Sequence, residues 1–193
     1  MADDKNTLRV AIVATDDFEE VEMTDPRKFL DAQGAETVLI APHPGKIQAM
    51  RHDEKSEKYD VDETLDEANP EDFDALLLPG GALNADNLRV ERKAQEFARN
   101  FDRKNKPIAV ICHGPWLLVS AGLVKGRTMT SYHTIKDDLV NAGANWVDSE
   151  AVVDRNWVSS RQPSDIPKFN EKIKELFWGG SREQRSRARA ASK

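Results

Sequence analysis

Four short apolar runs constrain this chain more than anything else in it: residues 8–14, 37–41, Ala75–Leu78 and Ile108–Ile111. They show little polar alternation, so each would be apolar on both faces and needs cover on both, as strands inside a parallel sheet do. Helical patterns separate them. One covers 18–33 and stops at Gly34; another, over 90–104, carries Val90, Ala94, Phe97, Ala98 and Phe101 at helical spacing. A short helix follows over 116–121 with Gly122 in the stop position. Thr134 is placed to cap a helix to Asn141, which Gly143 ends. Residues 151–153 and Trp157–Ser160 read as a closing hairpin, and Ile166, Phe169, Ile173, Leu176 and Phe177 place a last helix behind a Ser164 cap. The stretch 42–72 is polar, with a weakly patterned hairpin over 46–61. The alternation predicts a single-domain α/β fold, a mostly parallel sheet sandwiched by helices.

Length and charge narrow the options. The 193 residues suit one domain, 1–178, with an appendage, 179–193. No apolar run reaches the ~18–20 residues of a membrane helix, and the first residues carry no secretory or transit pattern, so a cytoplasmic protein is expected. Cys112 is the lone cysteine, which excludes an internal disulfide and a multi-cysteine zinc site and fits a reducing compartment. The four histidines show no metal spacing, and dinucleotide and Walker glycine loops are absent, so no cofactor and no metal are expected. The formal charge of −6 disfavours nucleic acid and is unevenly spread. Five Lys/Arg against one Glu give 179–193 a net +4, leaving −10 on 1–178. That tail has no apolar residue larger than alanine; the expectation is disorder and at most weak nucleic-acid contact.

In open parallel sheets, ligands bind at the carboxyl ends of strands. Two such ends stand out. Leu78-Pro79-Gly80-Gly81 offers paired glycines that let backbone N–H groups approach a ligand. At Ile111-Cys112-His113-Gly114-Pro115 a strand delivers a thiol to a helix start, with proline suited to the first turn. This is the cysteine form of a nucleophile elbow, where positive potential at the helix start would favour thiolate. An inert buried thiol is the alternative.

These residues resemble the PfpI-type intracellular protease family, in the superfamily that also holds the Parkinson-associated protein deglycase and glyoxalase III. The resemblance is carried by Asp17-Phe18-Glu19-Glu20-Val21-Glu22, Leu78-Pro79-Gly80-Gly81, Ile111-Cys112-His113-Gly114-Pro115 and Thr130-Ser131-Tyr132. Asn141-Ala142-Gly143, Trp146-Val147-Asp148 and Trp157-Val158-Ser159-Ser160-Arg161 extend it in order over 7–177. It implies a flavodoxin-like fold, close to that of class I glutamine amidotransferases, with the elbow at Cys112.

The resemblance also implies roles: Cys112 as nucleophile, His113 beside it, and Glu22 as the carboxyl on the sulfur, with Glu19 as the other choice. Pro26 supports Glu22, because its missing N–H disturbs the helix one turn away. A carboxylate next to a thiolate would repel it, so Glu22 should be protonated when the sulfur ionises. Gly80 and Gly81, with the His113 amide, would form an oxyanion site, and Tyr132 would line the pocket. Asp86, the lone acid in 82–88, could orient His113 from across a subunit interface, or serve as an N-cap, or stay exposed. His133 either lines the pocket or starts the next helix. His43 and His52 read as surface histidines.

Three functions follow. The preferred one is a cofactor-free cysteine enzyme for reactive carbonyls or glycated adducts, working as a homodimer or larger homo-oligomer. An intracellular cysteine peptidase is second; a chain-adjacent imidazole rarely points at its neighbour's sulfur, which counts against it. The third is a redox-sensing stress protein in which Cys112 becomes a sulfinate. Amidotransferase activity needs a late histidine–acid pair, and no histidine follows His133.

Overall fold

A computed structural model describes residues 7–179; the expected disordered tail falls, Gly179 apart, outside them. In chain order the first elements are β1 (Arg9–Val13), β2 (Phe18–Glu19), α1 (Glu20–Ala32), β3 (Glu36–Ala41), β4 (Lys46–Arg51), β5 (Glu54–Asp60) and β6 (Glu63–Thr64). There follow β7 (Ala75–Leu78), α2 (Ala82–Leu88), α3 (Arg92–Arg103), β8 (Ile108–Ile111), α4 (Pro115–Ser120) and β9 (Thr128–Met129). The last are α5 (Lys136–Asn141), β10 (Asn145–Trp146), β11 (Ala151–Asp154), β12 (Trp157–Ser160) and α6 (Ile166–Gly179).

Seven strands form the central sheet in the order β11-β12-β8-β7-β1-β3-β6. Its pairs are parallel except β11 with β12, so the expected mostly parallel sheet is present. The sheet carries a core on each face. Val13, Leu76, Leu78, Ile108 and Val110 pack in one cluster with Phe97 and Phe101 of α3 and Leu117 of α4. Val10, Ile12, Leu77, Ala109 and Ile111 pack in the other with Leu30 of α1 and Phe169 and Ile173 of α6. Successive side chains of a strand point to opposite faces, which is why these runs are apolar throughout.

After β1 the chain steps to β3 on one side, then returns to β7 on the other. Such a reversal leaves a crevice at the carboxyl ends of the strands beside it.

Several boundaries differ from the sequence reading. Phe18 and Glu19 are extended rather than helical: they pair with Ala49 and Met50, and Phe18 is buried edge-on to Tyr59 at 5.7 Å. The hairpin is β4 with β5, and β5 is largely exposed, which explains its weak pattern. Val90 stands outside α3 at 71% exposure, so the core face of that helix begins at Ala94. Residues 82–88, to which the sequence pattern assigns no helix, form α2. Neither proposed cap acts as one. Thr134 and Ser164 lie in 3-10 turns before α5 and α6, and Ser164 Oγ accepts from Gln162 Nε2 at 2.9 Å.

Candidate active site

A cleft of about 470 Å³ opens beyond the ends of β1, β7 and β8. Glu22, Gly81, Cys112, His113 and Tyr132 line it, joined by Asp17, Glu19, Met50 and His52 from the β1–α1 connection and the hairpin. Cys112 directly follows β8 with φ 62°, a left-handed conformation that strains a side-chain-bearing residue by about 1–3 kcal/mol. Flanking hydrogen bonds hold it there. The Cys112 N–H donates to the Ser160 carbonyl at 3.1 Å, and its carbonyl accepts from the Tyr132 N–H at 2.9 Å. Cys112 as a whole is 7% exposed.

Glu22, on the first turn of α1, is fully buried against this sulfur. Its Oε2 accepts the Gly80 N–H at 2.8 Å, and its side chain hydrogen-bonds Cys112. The other oxygen, Oε1, is buried without a nitrogen or oxygen partner. Burial, reinforced by the charge of Glu19, pushes the carboxyl up to about 8 despite the hydrogen bonds from Cys112 and Gly80. At pH 7 the carboxyl of Glu22 therefore favours its protonated form. Gly80 makes this contact possible by having no side chain: a Cβ would lie 2.3 Å from Glu22 Oε2 and 2.6 Å from Cys112 Cβ.

Cys112 itself departs from expectation. Burial first, then the charge and hydrogen bond of Glu22, push its pKa up, while the amides of Gly81 and His113 pull it down. The helix behind it, α4, has only six residues and supplies little field to offset burial. The pair retains at least one proton through neutral pH, and the two groups titrate together. Gly80 also departs from its expected role, because its N–H is committed to Glu22; the amides aimed at the sulfur are those of Gly81 and His113.

His113 corrects a stronger expectation. Its Nδ1 lies 3.3 Å from Cys112 Sγ, so the chain-adjacent imidazole does reach the neighbouring sulfur. The left-handed turn at Cys112 accompanies this approach. The ring sits 5.0 Å from that of Tyr132 and edge-on to Trp116 at 5.4 Å, and its Nε2 lies 3.3 Å from Thr134 Oγ1. Burial and the nearby His133 lower its pKa, which favours a neutral ring able to accept a proton.

Other candidates fall elsewhere. Asp86 is exposed in the middle of α2, outside the cleft of its own chain, and is not an N-cap. His133 opens the 3-10 turn before α5 and is exposed beside Tyr132 rather than lining the cleft. Glu19 lines the cleft, but its Oε2 accepts the His52 N–H at 3.1 Å. His52 is exposed at the cleft and His43, half-exposed, is tied to Asp16 through Nε2 at 2.7 Å, so both lie at the surface as expected. Asn84 went unnoticed in the sequence. Fully buried, it accepts the Thr15 N–H at 2.7 Å and donates to the Pro79 and Gly80 carbonyls, fastening the end of β1 to the glycines. Nothing in its local pattern signals this. Among the described residues no group of three or more His, Cys, Asp or Glu is arranged to hold a metal.

Residues 8–176 match the DJ-1/PfpI family. The chain belongs to the DJ-1/PfpI family. A deglycase of Pyrococcus abyssi is 46% identical over 159 residues, which covers 82% of this chain and 93% of that one. A Bacillus subtilis relative named "Putative cysteine protease YraA" is 41% identical over 169 residues, 88% of this chain and 98% of its own. Among solved structures, Drosophila melanogaster DJ-1beta superposes with a TM-score of 0.80 at 23% identity, over 96% of this chain and 97% of that one, a likeness of fold. The flavodoxin-like layering expected from the sequence is thus the layering of a DJ-1/PfpI domain. Among the described residues no helix is long and apolar enough to cross a membrane.

Proposed function

We propose that this DJ-1/PfpI protein is a cofactor-free cysteine enzyme of the deglycase type, acting on reactive carbonyls and their adducts with amines. The observation that carries the reading is the fully buried Glu22 on the Cys112 sulfur together with His113 Nδ1 at 3.3 Å from it. Sulfur attack on a carbonyl needs a base for the thiol proton and donors around the sulfur as charge develops there. His113 Nδ1 supplies the first; the amides of Gly81 and His113 supply the second, with the Glu22 carboxyl donating there only while it holds its proton.

The sulfur adds to the aldehyde carbon, and the carbonyl oxygen takes a proton to give a hemithioacetal. Moving the hydrogen of that carbon to its neighbour converts the hemithioacetal of methylglyoxal to a thioester, which water cleaves to lactate and the free thiol. With the methylglyoxal adduct of an amine, water adds, the amine is released and lactate is the second product. The resident acids Asp17 and Glu19 border this cleft, and among the described residues no Lys or Arg lines it, which favours adducts carrying a cationic amine over anionic carbonyls.

Peptidase activity is a second reading, favoured by the Cys112–His113 approach and by the name of the Bacillus subtilis relative. Purified protein and Cys112→Ala given methylglyoxal, a glycated peptide and casein separate the two. The carbonyl reading expects turnover of the first two, lost in Cys112→Ala. Cleavage of casein alone would overturn it.

A further inference from the structure

We infer that Asn84 is a positioning residue for the amide donors of the site: it turns the peptide between Gly80 and Gly81 so that the Gly81 N–H faces the Cys112 sulfur. Asn84 is the third residue of α2 and fully buried, and its side-chain amide has one orientation that satisfies its surroundings. Oδ1 meets the Thr15 N–H at 2.7 Å, and a backbone N–H can only donate. Nδ2 meets the Gly80 carbonyl at 2.9 Å and the Pro79 carbonyl at 3.3 Å, and carbonyls can only accept. Flipping the amide would set donor against donor and oxygen against oxygen. The Gly80 carbonyl also accepts the Glu19 N–H, at 3.3 Å.

A planar trans peptide points its C=O and its N–H in opposite directions. Drawing the Gly80 carbonyl onto Asn84 therefore sends the Gly81 N–H the other way, where it hydrogen-bonds the Cys112 sulfur. The same holds one peptide earlier. The Pro79 carbonyl is on Asn84, and across that peptide the Gly80 N–H donates to Glu22 Oε2 at 2.8 Å. One side chain thus sets two successive amides, one on the sulfur and one on the carboxyl beside it. A pair of glycines has wide freedom to rotate these planes, and Gly81 sits at φ 90°; the bonds to Asn84 remove that freedom. Their far end is Thr15, just past β1, so the amides are fixed relative to the central sheet.

The inference rests on Cys112 as the nucleophile of the proposed function, and alkylation by iodoacetamide reads that thiol without any carbonyl substrate. Asn84→Ala should cut both the alkylation rate at pH 7 and kcat for a glycated peptide about tenfold, less than the roughly hundredfold lost with a donor itself, because the Glu19 N–H still holds the Gly80 carbonyl. KM should stay within about twofold, since the donor acts on charge that develops after binding. The alkylation profile should move to higher pH, because the Gly81 amide pulls the Cys112 pKa down. Asn84→Leu, which fills the space without a donor, should behave alike and serves if the alanine variant fails to fold. Amide resonances test the peptide with Asn84 intact: between the parent protein and Cys112→Ala, the Gly81 N–H and the Asn84 side-chain NH2 should both shift. A Gly81 resonance that stays put, a Gly81 shift without one at Asn84, a folded Asn84 variant alkylated at the parent rate, or one whose KM rises while kcat holds would each overturn the inference. If the parent protein turns over no carbonyl, the proposed function fails, while the alkylation series and the resonances still decide the role of Asn84.

Discussion

Glu22 is the residue at which burial, titration and chemistry meet. Its carboxyl, raised from 4.5 to about 8, keeps its proton in the folded protein where the unfolded chain has lost it. The unfolded state therefore binds fewer protons between these values, and stability falls as pH rises from about 4.5 to 8, levelling above. Glu22→Gln has no proton to lose there, so its stability should fall less, gaining on the parent by a few kcal/mol at most, on the order set by the shift. Urea unfolding of both proteins at pH 5 and pH 9 measures this; parallel curves would mean that Glu22 is not held neutral. Gly80 offers a steric counterpart. Its φ does not require glycine, so Gly80→Ala tests crowding alone: overpacking at Glu22 and Cys112 should cost about 1–3 kcal/mol and remove most carbonyl turnover. Thermal melting and assay of this variant check both.

At the scale of elements, the hairpin β4–β5 supplies Met50 and His52 to the cleft, and one buried acid anchors it. Glu20 opens α1 and accepts from Arg51 Nε at 2.6 Å, Ser56 Oγ at 2.8 Å and Tyr59 OH at 2.9 Å. These hydrogen bonds hold its pKa below the ordinary glutamate value against the opposing effect of burial. Glu20→Ala should destabilise by about 2–3 kcal/mol, since hydrogen bonds to a charged group are the stronger kind. It should also speed hydrogen exchange in β4 and β5 and raise KM for a glycated peptide more than it lowers kcat. The sign for acid follows from the lowered pKa: the anchor is present above the unfolded value and is lost as pH falls through the folded one. Exchange rates of the hairpin at pH 7 and pH 4 test it.

Across the whole molecule, stability should be graded from the sheet centre outward. β1, β7 and β8 are paired on both sides and covered on both faces, whereas β5 is an exposed hairpin strand and β11 an edge. Amides of Ile12, Leu77 and Ala109 should exchange slowest, by global unfolding, with those of β5 and β11 faster. Charge also acts at this scale. The −10 carried by residues 1–178, with Asp17 and Glu19 at the cleft, should draw cationic substrates. A glycated peptide of net positive charge should be processed faster than an anionic one at low salt, with the gap closing as salt rises. Equal kcat/KM for both peptides at low salt would remove charge from the account of specificity.

The sequence alone determined the layers. Apolar runs at 8–14, 37–41, Ala75–Leu78 and Ile108–Ile111 have no use except as strands covered on both faces, and the helical spacing between them places the cover. It also marked the two strand ends that matter, because glycine pairs and a lone thiol before proline are local features of the chain. Tertiary structure decided which groups meet there. Glu22 reaches the sulfur because α1 packs with its first turn at the ends of β7 and β8, and its raised pKa comes from burial, which no local pattern encodes. Thr134 faces His113 rather than a helix amide, and Asn84 turns inward to bind the end of β1 to Gly80. A side chain's partner and its exposure to water are set by residues tens of positions away, so local periodicity names candidates and packing assigns them.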